Sequence, residues 1–213
     1  MLEKDTKELK EKPKEKIHSI LDVPLIDIDN ILKLDRNIYL FEEVDYQSAE
    51  RVIRELYALA ILEPHVPIKF WINSPGGSCV DGLAIIDCMQ YCSCPIATII
   101  TGSAGSMAGI ISICGNNRFM TSNSYWMGHP LTAGSCGNLE TMIDRNDFIK
   151  NLNTQILAMI KKRTRLNKAD FHKFVNGELW LNSGACLEKR IVDYVMPCTF
   201  GRLPNLVKIE DKK

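Results

Sequence analysis

The chain lacks a block of charge of either sign, because its 26 basic and 26 acidic residues cancel over 213 positions. No global field gathers nucleic acid or an anionic membrane surface, so neither partner is expected. It also lacks any CxxC pair. Eight cysteines are present, at 79, 88, 92, 94, 114, 136, 186 and 198, but Cys92 and Cys94 make only the tripeptide CSC. That is not the ligand spacing of a structural zinc site, and no metal and no cofactor are expected. Most of these cysteines sit in apolar runs, which suggests reduced, buried thiols rather than a disulfide framework. An unbroken apolar span is missing too: Ile96–Cys114 carries no charge but is interrupted by Gly102, Gly105 and Gly109. It reads as a buried strand, a tight turn and a helix rather than a membrane crossing. The opening MLEKDTKELKEKPKEK has no Arg and alternates Lys with Glu or Asp, unlike a secretory signal or transit peptide. It is expected to be a flexible charged tail on a cytoplasmic protein.

What is present is enough apolar material, 46% of the chain, to fill a core. A strand is expected at Asn37–Phe41, and Val52, Ile53, Leu56, Leu59 and Ala60 then share one helical face. With Asp45 or Ser48 placed to cap it, the pattern predicts a helix over Tyr46–Leu62. A strand PIKFWIN, the turn SPGG, a helix over Val80–Tyr91 and a strand IATIITG follow. This is the α/β alternation, so the sheet should be largely parallel with ligands at the carboxyl ends of its strands. SPGG and Ser106 both fall at such ends. The spacing next predicts a short strand SYWMGHP and a helix over Leu139–Arg163, about 37 Å long at 1.5 Å per residue. That is too long for the core of a domain this size, so the helix should project as a handle and seek a second copy of the chain. A helix near Lys168–Asn176, the segment ELWL, a helix near Ser183–Arg190 and a strand IVDYV complete the chain. With no repeat or linker, one domain is expected over 25–200, its handle at about 130–165, flanked by tails at 1–24 and 201–213.

Ser106 lies in TGSAGSMAGIISICG, where small residues replace the bulk a core helix normally carries. A serine hydroxyl is a weak nucleophile unless a base takes its proton, and the oxyanion formed on attack needs donors already in place. Ser106 begins a helix whose free N–H groups face it, and the PGG turn offers further bare backbone N–H groups. The same serine would also serve as a plain helix cap. The α/β-hydrolase elbow GxSxG does not apply, since it requires glycines where Ala104 and Ala108 stand. Among the four histidines, His18 falls in the tail, His65 in a loop beside Pro64 and His172 on a charged helix face. His129 ends a strand and can reach the cleft of Ser106 as a base. Glu178 is the best placed orienting acid, with Asp170 and Asp193 as fallbacks.

These pieces resemble a known family. INSPGGS at Ile72–Ser78, GSAGSMAG around Ser106 and NSYWMGHP ending at His129 are similar, in that order, to ClpP, the proteolytic subunit of the ATP-dependent Clp protease. The likeness spans about Ile31 to Val195. It implies a ClpP/crotonase-like α/β fold of stacked ββα units with a projecting handle helix. It implies Ser106 as nucleophile, His129 as general base, and backbone N–H groups of Gly77 and Met107 as the oxyanion hole. Ungapped alignment through LEKRIVD sets the family's third triad member, an Asp, on Glu178. Gly76, Ser78, Leu131, Thr132 and Gly134 become substrate-binding positions, the last three in LTAGSCGN, which would be a glycine-containing strand adding to substrate backbone. The family also implies heptameric rings stacked into a tetradecamer, a closed chamber, and an AAA+ unfoldase that feeds it unfolded polypeptide.

The chain departs from the family pattern at several places: Gly105 stands for a usual Ala or Ser, Gly128 for a large aliphatic residue, HP for HQP, and Glu178 for Asp. Such drift resembles ClpP-like peptidases of phages, some of which mature capsids without an unfoldase. The leading expectation is a serine endopeptidase with a Ser-His-acid triad. The alternatives are a catalytically silent ring subunit, motivated by Glu178 and HP, and an acyl-CoA enzyme of the crotonase relatives, in which Ser106 and His129 have no work.

Overall fold

The structure, a computed structural model, describes residues 35–197; the two expected tails, His18 and Cys198 lie outside them. Strand β1 (Asn37–Leu40) leads into helix α1 (Tyr46–Leu62). This helix starts where its cap demands, since the Asp45 side chain accepts from the Ser48 N–H while the Ser48 hydroxyl accepts from the Asp45 N–H. Val52, Leu56 and Leu59 bury its inner face. Strand β2 (Ile68–Ser74), helix α2 (Cys79–Tyr91), strand β3 (Ile96–Gly105) and helix α3 (Ser106–Ser112) repeat the unit. Strands β4 (Asn117–Thr121) and β5 (Tyr125–Gly128) precede the long helix α4 (Leu139–Arg163). Helix α5 (Lys168–Asn176), strand β6 (Leu179–Asn182), helix α6 (Ser183–Glu188) and strand β7 (Tyr194–Met196) close the chain.

One sheet joins the strands in the order β1-β2-β3-β4-β7, with every pairing along this path parallel. Strand β3 is long enough to serve two neighbours. Its first half, Ala97–Ile100, pairs with β4, and its last residues, Ser103–Gly105, pair with β5. The sheet therefore forks where β3 ends, and β6 extends the branch antiparallel to β5. The fork brings the carboxyl ends of β2, β3 and β5 together. Ile72, Ile99, Ile100 and Trp126 are at most 1% exposed, so those ends are held by the centre of the core.

Helix α4 confirms its expected length and its departure from the core. Leu152, Ile156 and Ile160 are its only buried residues, all in its second half, whereas Leu139, Met142, Ile143 and Phe148 in the first half are exposed. None of the described helices is long and apolar enough to cross a membrane.

Three local expectations need correction. The sequence reading missed β4, because its NRFMT puts a charge inside a strand. Arg118 is 5% exposed there, and its guanidinium is held by the Asp193 carboxylate at 2.6 and 2.9 Å and by the Arg163 and Arg190 carbonyls. The last strand begins at Tyr194 rather than Ile191, since Ile191 and Val192 are consumed in a turn whose N–H groups donate to the Cys186 carbonyl. Finally, LTAGSCGN is not a strand: 131–136 follow β5 without ladder pairing, because none of the described strands runs beside them.

Candidate active site

At the end of β3 the chain passes into α3 with no intervening loop, and Ser106 takes up the turn with φ of +49°. A non-glycine residue in that region stores roughly 1–3 kcal/mol and persists only where its surroundings impose it. The neighbour that imposes it is the SPGG turn. A Cβ on Gly76 (φ +97°) would lie 2.6 Å from the Gly105 carbonyl oxygen, 2.7 Å from Ser106 Cβ and 2.8 Å from Met107 N. Only glycine allows that contact. Gly105 answers from the other side, where a Cβ would stand 2.8 Å from the Pro75 carbonyl oxygen. The small residues around Ser106 thus let two backbone turns touch.

The same packing prepares donors. Val44 bridges to Gly77 by donating to the Gly76 carbonyl (2.8 Å) and accepting from the Ser78 N–H (2.7 Å). In a parallel bridge the central residue's own N–H then points away from the partner, so the Gly77 N–H faces the opposite edge. Met107 is the second residue of α3, and its N–H is one of the helix-start donors without an intrahelical acceptor. Gly76 and Ser78 differ: the Gly76 N–H donates to Ser74 Oγ, and the Ser78 hydroxyl caps α2 by accepting from the Asp81 N–H. Gly76 therefore acts through its missing side chain.

His129 follows β5, whose residue Met127 pairs with Gly105, so the branch of the fork delivers the imidazole beside the serine. Ser106 and His129 line one cavity together with Met107, Ile110, Gly128 and Leu131. His129 Nδ1 lies 2.7 Å from the Pro130 carbonyl oxygen. A carbonyl only accepts, so Nδ1–H is the donor of this bond and Nε2 takes no part in it. Cys79 also lines this cavity, a nucleophile type that the sequence reading passed over. Burial pushes its thiol above the ordinary range, so at neutral pH it stays protonated and inert.

The acid is placed differently. Strands β5 and β6 pair Gly128 with Leu179, and one further step in that register sets Glu178 opposite His129. Its carboxylate is turned elsewhere, however, accepting from Trp180 Nε1 at 2.8 Å. The two fallback acids are committed: Asp170 caps α5 and pairs with Lys189 at 2.8 Å, and Asp193 pairs with Arg118. Burial pushes the Asp193 carboxyl up, but the hydrogen bonds and charge of Arg118 outweigh it and hold it below its usual range. Asp170 is likewise lowered, its burial outweighed by Lys189 and by the Asn167 backbone. His65 contacts the Ser93 carbonyl and His172 is exposed on α5. In the loop after His129, Leu131 lines the cavity, while Thr132 and Gly134 are exposed.

The larger cavity at the opposite ends of β3 and β4, about 430 Å³ and lined by Cys92, Cys94, Cys114 and Arg163, contains neither the serine nor the histidine. Burial pushes the Cys114 thiol up to about 11. Among the described residues no cluster of three His, Cys, Asp or Glu residues is arranged to hold a metal ion.

A strained serine, a neighbouring imidazole with a free nitrogen and two bare backbone donors make up the equipment for acyl transfer. Comparison with known proteins shows the family. The family model described as Clp protease matches residues 23–198. The chain is 33% identical over 174 residues to the ATP-dependent Clp protease proteolytic subunit 1 of Protochlamydia amoebophila, covering 79% of this chain and 84% of that one. It is 30% identical over 187 residues to the subunit of the same name in Chlamydia trachomatis, covering 85% and 95% respectively. The proteolytic subunit of Porphyromonas gingivalis is 29% identical over 178 residues, covering 83% of this chain and 80% of that one. The chain belongs to the Clp protease family, and its mixed α/β architecture with a parallel sheet is the ClpP fold.

Proposed function

We propose that the protein is a serine endopeptidase that hydrolyses unfolded polypeptide through Ser106, His129 and Glu178. The observation that carries this reading is the forced φ of Ser106 against Gly76, beside a cavity it shares with His129. Ser106 Oγ attacks the peptide carbonyl carbon as His129 Nε2 takes its proton. The developing oxyanion accepts from the Gly77 and Met107 N–H groups, and His129 then returns the proton to the leaving amine. Water repeats the sequence on the acyl-enzyme. Glu178, on leaving Trp180, would accept from Nδ1–H in place of the Pro130 carbonyl and stabilise the imidazolium, as contacts of this kind tighten when substrate binds.

The exposed first half of α4 supplies an apolar surface for a second copy of the chain, in keeping with stacked heptameric rings enclosing the sites in a cytoplasmic chamber. The relatives are named ATP-dependent subunits, which supports an AAA+ unfoldase as the feeder. Hydrolysis of a fluorogenic peptide by the purified oligomer, abolished by Ser106→Ala, is the expected result. A second reading, a silent ring subunit, draws on the bonds of His129 to Pro130 and of Glu178 to Trp180. It requires an assembled oligomer without turnover.

A further inference from the structure

The cavity beside Ser106 is small, about 30 Å³. A second cavity of about 190 Å³ adjoins it, lined by Pro130, Ile149, Lys150 and Val175, and Leu131, Asn153 and Phe174 belong to both walls. Phe174 is 4% exposed. It reaches this position because residue 128 has no side chain: a Cβ there would stand 2.5 Å from Phe174 Cε2 and 2.6 Å from the Trp126 ring. The glycine and the phenylalanine therefore form a matched pair, and the ring occupies the space that a side chain at 128 would fill.

An acyl carbon bonded to Ser106 Oγ, with its oxygen toward Gly77 and Met107, carries its own Cα substituent into the cavity that opens on Ser106, Met107 and His129. We propose that Phe174, seated over Gly128, sets specificity by restricting the residue on the amino side of the cleaved bond to a small side chain, of the size of Ala or Ser. This rests on the reading of Ser106 as nucleophile. A Leu or Phe side chain needs the volume that the ring holds, and the ring and Trp126 together crowd the space over Gly128. Removing the ring joins the small cavity to the large one and admits long apolar side chains.

Peptidyl diphenyl phosphonates test this on the full-length oligomer without an unfoldase, because Ser106 Oγ forms the bond to phosphorus, phenol leaves, and the adduct is read by intact mass. Probes carrying Ala-like, Leu-like and Phe-like side chains are compared with an alkyl fluorophosphonate that has none. The expected result is labelling by the Ala-like probe at least about tenfold faster than by the Leu-like probe. In Phe174→Ala the ratio narrows or inverts, and in the milder Phe174→Leu, which keeps most of the packing, it narrows part of the way. If the fluorophosphonate labels Ser106 but wild type takes the Leu-like probe as fast as the Ala-like one, the pocket assignment is overturned and the nucleophile stands. If no probe labels the folded oligomer, the nucleophile reading fails and this inference with it.

Discussion

The two halves of the site are built from different materials. The nucleophile half is backbone: Gly76 touches Ser106 and Met107, Gly105 touches Pro75, and the donors at Gly77 and Met107 are fixed by a bridge and a helix start. The base half is side chains at the end of a short branch strand, where His129 bonds the next residue's carbonyl and Glu178 bonds Trp180. Backbone contacts of this kind allow little alternative geometry, whereas a half-buried imidazole and an exposed carboxylate move by rotamer changes. On the proposed mechanism, the difference teaches that stabilisation of the oxyanion is prepared in advance, while general-base competence is completed when substrate arrives.

The comparison is broken most severely at the serine. Ser106→Ala is expected to lower peptide hydrolysis by at least about 10⁴-fold with the fold unchanged, measured by initial rates beside circular dichroism. Gly76→Ala attacks the same half through its packing. It should destabilise by about 3 kcal/mol in a denaturant titration and abolish activity, because its Cβ has no space and its φ is positive.

Asp193→Asn, remote from both halves, leaves the Arg118 guanidinium buried without its counter-charge. A loss of about 3 kcal/mol is expected, by the same titration. Because the folded state lowers the Asp193 and Asp170 carboxyls, their stabilising contribution is present above the ordinary carboxylate range near pH 4 and is lost as pH falls through their lowered values. Thermal melts of wild type should therefore drop below about pH 4, and less so in Asp193→Asn.

Smaller effects sharpen the base half. Glu178→Gln is expected to reduce kcat about a hundredfold with KM little changed, since in the proposed mechanism the acid acts on the imidazolium of the transition state rather than on bound substrate. Trp180→Phe removes the donor that holds Glu178 aside and should raise kcat by about threefold, an effect of the size of one exposed hydrogen bond. The rise should disappear in the double variant with Glu178→Gln, as a double-mutant cycle would show.

Much of this was legible in the sequence where the determinants are local. Asp45 with Ser48, Asn138, and Asn167 with Asp170 are caps within three residues of the N–H groups they serve, and the helices they begin occur at their expected bounds. SPGG and the small residues around Ser106 announced a close approach, although not that Gly76 is what approaches. The missed features depend on partners far along the chain. Strand β4 became readable only once Asp193 was placed, 75 residues from Arg118. Gly128 is matched by Phe174, a partner on another element, and Cys79 meets the site only through the cavity that it and Ser106 both line. The direction of the Glu178 carboxylate depends on a rotamer, which no residue pattern encodes.

The most direct test of the account is to treat the purified protein with a fluorophosphonate and map the modified peptide. The account predicts a single adduct on Ser106, formed in wild type and lost in His129→Ala. A folded, assembled protein that takes no adduct, or takes it at another residue, would contradict it.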